Sequence, residues 1–216
     1  MSYAAKWLDE KEIIVRALPD FPLYKRDKHD DRALIMELHA LLSKADILIA
    51  HNGDAFDMKK ANARFIMHGL DPIPPLKMID TLKIARRHFK FNSNKLDALG
   101  NYLGVGRKLA HSGTRLWLAC IEGDLKAWKE MKAYNVQDVA LLEKIYFKLR
   151  PYASNHPNIN VISRQTNACP ACGSTNLVKR GYHYTLTSEA QQFACKDCHK
   201  WSMGKPEKLS VKVNVR

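Results

Sequence analysis

Over roughly the first 150 residues, short apolar runs alternate with longer stretches whose apolar positions recur every three or four residues. Strand-like runs at 2–8 and 12–18 flank the polar turn Asp9-Glu10-Lys11 and predict a hairpin. A polar, proline-containing connection over 19–31 leads to a predicted helix at 33–43, where Leu34, Leu38, Leu41 and Leu42 fall at helical spacing. The apolar run 46–52 has the pattern of a buried strand. A predicted helix over 54–68 ends at Gly69 and the proline-rich 71–75. A strand at 77–81 then precedes helical stretches at 82–88 and 93–103. Gly100, Gly104 and Gly106 punctuate a basic loop through Arg107, Lys108 and His111. A long helix runs from 124 to 149, with Asp124 as its N-cap. Strands alternating with helices predict an α/β domain over 1–153.

From Pro151 onward the pattern changes. An Asn- and Pro-rich linker (154–166) precedes a module at 167–216 with cysteine pairs, short β-like runs and many lysines. Cys169-Pro-Ala-Cys172 and Cys195-Lys-Asp-Cys198 are two C-x-x-C pairs with 22 residues between them. Each pair in a tight knuckle offers two thiolates, and two pairs fill the tetrahedral shell of one zinc ion. Four cysteine ligands leave no open position, which predicts a structural Zn2+ site, a zinc ribbon, rather than a catalytic one. About 45 residues bury too little apolar surface to fold unaided, so the metal is expected to stabilise the module. His183 and His199 are then surface residues, and Cys120 is a small core residue.

Lys179, Arg180, Lys196, Lys200, Lys205, Lys208 and Lys212 are interleaved in the module with Tyr182, Tyr184, Phe193 and Trp201. Two readings are open. The cations contact phosphates while the aromatics stack on unpaired bases, or the aromatics form the ribbon's own small core and the lysines are solvated. Protein docking is the runner-up use of this surface.

Hydrophobic residues make up 46% of the 216, which suits a folded core, and the net charge is +13. That balance favours a polyanionic partner, nucleic acid before an anionic membrane. No stretch reaches the roughly 18 apolar residues of a membrane span, and residues 1–6 lack an apolar signal-peptide core. The expectation is a cytoplasmic or nucleoid-associated protein, not secreted, whose cysteines are thiols or metal ligands in a reducing compartment.

Two acids stand out. Asp57 follows the 46–52 strand in the first turn of the next helix, at the rim of the sheet where α/β active sites gather; a charge favoured by the helix dipole is the alternative there, as for Asp54. In the long helix, Trp128, Met131, Asn135, Asp138, Leu142, Ile145 and Leu149 form one stripe, and Tyr134 lies one turn before Asp138. A carboxylate on a buried stripe is costly unless paired, protonated or bound to a cation. A hydrogen-bonded structural Asp is the alternative.

Asn52-Gly-Asp-Ala-Phe56-Asp57 resembles the second motif of DnaQ-like 3′–5′ exonucleases, and Tyr134-Asn-Val-Gln-Asp138 resembles their third motif in its tyrosine (DEDDy) form. Ile79-Asp80-Thr81-Leu82 and Ser93-Asn94-Lys95-Leu96-Asp97 are similar to segments of that group. The resemblance covers about residues 3–150. It implies a ribonuclease-H-like mixed sheet flanked by helices, with two divalent ions, Mg2+ or Mn2+, activating a water against the terminal phosphodiester. Carried over, Asp57 and Asp138 hold metal, Tyr134 orients the attacking water, and Asn52 and Phe56 hold the terminal nucleotide. Such chemistry suits hard oxygen ligands. Arg107 and Lys108, with Lys83, Arg86, Arg87 and Lys90, line a substrate path or form a solvated face.

The family's first motif, an Asp-x-Glu on a central strand, has no counterpart here; Asp9, Glu10 and Glu12 sit in the hairpin turn. Loss of a central strand leaves neighbouring edges unpaired. The chain is then a piece of a longer protein, half of a split one whose partner chain supplies the strand, a product of an internal start, or a relative that kept binding and lost catalysis. The expected activity is a nuclease of the exonuclease type on single-stranded DNA or RNA ends, weak or inactive as this chain alone. A non-catalytic nucleic-acid-binding or assembly subunit and a ribonuclease-H-like endonuclease are the rivals.

Overall fold

The computed structural model describes residues 1–8, 10–109 and 113–208. His111, Asp9 and Lys212 lie outside them. The chain divides into two compact units, Met1–Lys148 and Leu149–Arg216.

The first unit opens with the expected hairpin. Strands β1 (Ser2–Ala5) and β2 (Ile14–Ala17) pair antiparallel, Ser2 opposite Ala17 and Ala5 opposite Ile14. Helix α1 (Arg32–Leu42) follows, with Leu34 and Ile35 fully buried. Strand β3 (Ile47–Ala50) runs parallel to β4 (Lys77–Asp80), and helix α2 (Asp57–Met67) makes the crossover, burying Ala61 and Phe65. Helices α3 (Thr81–His88), α4 (Leu96–Tyr102), α5 (Thr114–Glu122) and α6 (Leu125–Leu149) complete the unit.

Its main core gathers Leu34 and Ile35 of α1, Phe65 of α2, Leu116 and Cys120 of α5, and Trp128 and Met131 of α6. Trp128 Nε1 donates to the Tyr24 hydroxyl at 3.0 Å, and the two rings meet edge to face. The indole N–H is thereby satisfied inside an apolar environment. Cys120 is 4% exposed and its thiol pKa is pushed up, chiefly by burial, as a core cysteine's should be.

Three differences from the sequence reading have local causes. The helix expected from 54 begins at Asp57, because Asn52 adopts a left-handed φ of 68° and residues 52–56 form turns, Phe56 N bonding Asn52 O and Met58 N bonding Gly53 O. Asp54, expected to serve the helix dipole, lies in this turn and pairs with Lys83 instead. Helix α5 has no counterpart in the sequence reading: its buried Leu116 and Cys120 lie four residues apart on one face, but Trp117, Leu118 and Ile121 are exposed, so apolar residues also lie outside the core-facing stripe.

The fold also departs from the single mixed sheet expected. Among the described residues, β1–β2 and β3–β4 are separate two-stranded pairs, so each of these strands keeps one edge without a strand partner. Ile47–Ala50 has the continuous apolar sequence of a strand covered on both sides, yet all four residues are only half-buried.

In the second unit, helix α7 (Ile159–Ser163) precedes strands β5 (Leu177–Tyr184), β6 (Ser188–Cys195), β7 (Trp201–Met203) and β8 (Glu207–Lys208). The sheet centres on β6, which pairs antiparallel with β5 on one side and with β7 and β8 on the other. A bulge between Lys179 and Tyr182 is served by Gly181 at φ 69°. No helix among the described residues is long and apolar enough to cross a membrane.

Candidate metal centre and candidate active site

The four cysteines of the C-terminal unit converge. Their sulfurs all lie within 4.8 Å of one another; Cys169 and Cys198 are 3.6 Å apart, Cys172 and Cys195 3.7 Å. Tetrahedral ligation at a Zn–S length of about 2.3 Å places sulfurs about 3.8 Å apart, so the donor set fits a metal ion such as zinc.

Two knuckles of the same design bring them there. Gly173 N bonds Cys169 O and His199 N bonds Cys195 O; Cys169 N bonds Ser174 O and Cys195 N bonds Lys200 O. The residue after each second cysteine is left-handed, Gly173 at φ 73° and His199 at φ 60°. His199 thus holds a turn position, outside the sulfur shell. Asp197 ties the knuckles together by accepting from Ser174 Oγ and Asn176 Nδ2. Burial opposes ionisation of Cys195, but the amides of Cys198 and Asp197 outweigh it and bring its pKa down to about 7.

In the first unit, buried Asp80 organises the end of the parallel pair. Its Oδ1 accepts from Leu82 N, capping α3, and from Asn52 N, both at 2.9 Å. Asn tolerates the left-handed conformation that starts the 52–56 turn, and at Gly53 a Cβ would fall 2.5 Å from that of Ala50. His51 spans Thr81 Oγ1 and the Asn94 carbonyl, each at 2.9 Å. Burial lowers its pKa below the usual histidine value, against the opposing pull of the Asn94 carbonyl and the Asp80 charge. Sequence reasoning gave no role to His51 or Asp80; the Ile79-Asp80-Thr81-Leu82 segment was the available signal.

Asp57 is the first residue of α2, where the helix dipole favours a negative charge. Although the residue reaches solvent, protein around the carboxyl pushes its pKa up. Asp80 adds to that shift, while the local backbone amide and Lys60 oppose it. Phe56 stands beside it, half exposed, with Lys60 Nζ 4.1 Å from the ring centre.

On α6 the predicted pair does meet a cation. Lys108 Nζ donates to Asp138 Oδ2 at 2.6 Å and to the Tyr134 hydroxyl at 2.7 Å, and lies 4.9 Å from the Tyr134 ring centre. Burial disfavours the lysine charge, but these two hydrogen bonds outweigh it and raise its pKa. Lys108 is delivered by its backbone: its N–H donates to Asp97 Oδ1, and the preceding Arg107 carbonyl accepts from Gln137 Nε2. Gly100 permits this approach, since a Cβ there would sit 2.6 Å from Gly106 O and 2.7 Å from Leu141 Cδ1. The Arg107 guanidinium is turned to Asn101 Oδ1. Asp138 Oδ1 is buried with no hydrogen-bond partner.

Tyr134, Asp138 and Lys108 are therefore together, and Asn52 is joined to Asp80. Asp57 takes its charged neighbours from Lys60 and Asp80. Among the described residues, neither Asp57 nor Asp138 belongs to a cluster of three or more metal-ligating side chains.

A family model described as the RNase H superfamily matches residues 8–150. The chain belongs to the RNase H superfamily. No curated protein matches it. The RNase H match contains Asn52, Asp57, Tyr134 and Asp138, whereas all four paired cysteines lie beyond it.

Two outcomes follow from this geometry. Stripping a bound metal from the cysteine cluster with a chelator should unfold the C-terminal unit, whose buried core is largely those cysteines, while the RNase H unit keeps its helical circular dichroism. The second concerns pH. The fold disfavours the charged form of His51, so the unfolded chain takes up the proton more readily. Stability should fall as pH drops through about 6.5, and denaturation of His51→Gln should show a flatter slope in that window.

Proposed function

We propose that this chain carries the greater part of a metal-dependent nuclease, a 3′–5′ exonuclease acting on nucleic-acid ends. The observation that carries the reading is the pocket on α6. Asp138 holds an ammonium on one oxygen and leaves the other buried without a partner, beside a phenol on the same helix face. A half-buried carboxylate with spare acceptor capacity is what a cation site requires.

Magnesium or manganese, when bound, would polarise the phosphodiester and lower the pKa of a water. Asp57 and Asp138 supply carboxylates for it, and Tyr134 orients the water. Asn52 and Phe56, at the turn before α2, hold the terminal nucleotide, and Arg107 and Lys108 contact substrate phosphate. Lys108 must turn from Asp138 Oδ2 toward the phosphate for that role, because its ammonium is held there and by the Tyr134 hydroxyl. Zinc, held by Cys169, Cys172, Cys195 and Cys198, is structural.

Two carboxylates are too few for a two-ion site. A strand bearing Asp-x-Glu, seated between the β1–β2 and β3–β4 pairs, would complete both the sheet and the ligand set. It comes from a longer form of this polypeptide or from a separate chain. Supporting it are the two disconnected strand pairs and the half-buried apolar β3. A second reading, a nucleic-acid-binding subunit without catalysis, draws on the Lys108–Asp138 ion pair, which neutralises the acid with no metal.

The test uses labelled oligonucleotides with free and blocked 3′ ends, with magnesium or manganese. The chain alone should cleave weakly or not at all. Together with a strand carrying Asp-x-Glu it should shorten only the free ends, and Asp138→Ala should lower that rate at least about a hundredfold, a loss of several kcal/mol in transition-state stabilisation. Internal cuts would favour a ribonuclease-H-like endonuclease, and absence of cleavage the binding subunit. Robust digestion by the chain alone would remove the need for the extra strand. Independently, Lys108→Met should raise manganese affinity several-fold in titration calorimetry, and Asp138→Ala should abolish that gain.

A further inference from the structure

Most aromatic residues of the C-terminal unit lie outside its buried cluster, and Phe193 is half-buried. The buried cluster there consists of Cys169, Ala171, Cys195 and Cys198, with Cys172 and Leu177 packed against it. Tyr182 and Tyr184, by contrast, are 49% and 62% exposed. They are two residues apart on β5 and opposite Gln191 and Glu189 of β6, so both project from one face of the hairpin. Their ring centres are 6.2 Å apart and the planes are inclined by 39°. Large rings left this open, on a unit whose metal site already supplies its stability, are not explained by folding.

The charge around them has a direction. Lys179 and Arg180 are exposed at the bulge, on the side of the tyrosines nearer the cysteine knuckles. The other end carries both signs: Glu189 stands opposite Tyr184 and pairs with Glu207 of β8, while the neighbouring Lys208 pairs with Ser188. A polyanion is therefore attracted to the bulge, where the cations are not offset by acids, while two uncharged π-faces lie beside it. Duplex nucleic acid presents phosphates but keeps its bases stacked on one another. Only an unpaired strand offers base faces to the rings.

We propose that the β5–β6 hairpin binds single-stranded nucleic acid, stacking unpaired bases on Tyr182 and Tyr184 and placing the backbone phosphates on Lys179 and Arg180. This deepens the nuclease reading by naming the strand state of its substrate, but it rests on that reading only for the choice of polymer.

The test is fluorescence anisotropy of the full chain with labelled 12-residue single-stranded DNA and RNA, and with a duplex of equal length, without added magnesium or manganese. Tyr182→Ala and Tyr184→Ala should each weaken single-strand binding about fivefold to a hundredfold, as the loss of one base–ring stack does. Phenylalanine at either position should restore it, and duplex binding should change little. Metal content of the four-cysteine site, measured on each variant, separates lost stacking from lost folding. The assay reads binding and no cleavage, so failure of the nuclease assignment would leave this one standing. Equal affinity for duplex and single strand, or undiminished binding by a double alanine variant that retains its metal, would overturn the proposal.

Discussion

A carboxylate placed on a largely buried helix stripe needs a countercharge or a cation, and in the RNase H unit that demand shapes a whole neighbourhood. Asp138 is answered by Lys108, and Lys108 is in place because Asp97 holds its amide, Gln137 holds the preceding carbonyl and Gly100 lets the loop close against α4 and α6. The polar chain thus links α4, the basic loop and α6 across residues distant in sequence. Removing the acid would leave the lysine half-buried and unpaired, and removing the lysine would leave the acid so.

The C-terminal unit solves a different problem. With few large apolar residues inside, it draws its organisation from the four thiols and the two matched knuckles that aim them. A bound metal there replaces the hydrophobic core that a unit of this size lacks. Tyr182 and Tyr184 are consequently free of packing duty and stand on the surface.

Much of the architecture was legible from the chain. The β1–β2 hairpin, α1, the β3–α2–β4 crossover apart from the start of α2, and α6 with its Asp124 cap, which accepts from Lys126 N, appear where periodicity and capping residues put them. The motif beginning Tyr134 pointed to a side-chain pair that does meet on one helix face. Helix α5 is short and carries exposed apolar residues beside its buried Leu116–Cys120 face, although Gly123 closes it in the left-handed conformation expected of a helix stop. Helix α2 starts at Asp57, later than the expected 54, because the turn that left-handed Asn52 opens runs on to Phe56, and the turn-type Asn52-Gly53-Asp54 does not reveal where such a turn ends.

The sequence by itself determined those properties that depend on neighbours along the chain: strand and helix periods, caps, and the two C-x-x-C spacings, each set by local geometry within a few residues. Tertiary structure alone decided which edges pair and which charges meet. The division of four strands into two pairs, the insertion of Lys108 between Tyr134 and Asp138, and the exposure of Tyr182 and Tyr184 depend on packing between segments far apart in sequence. No local period encodes those contacts, because burial and desolvation act only once the distant surfaces have come together.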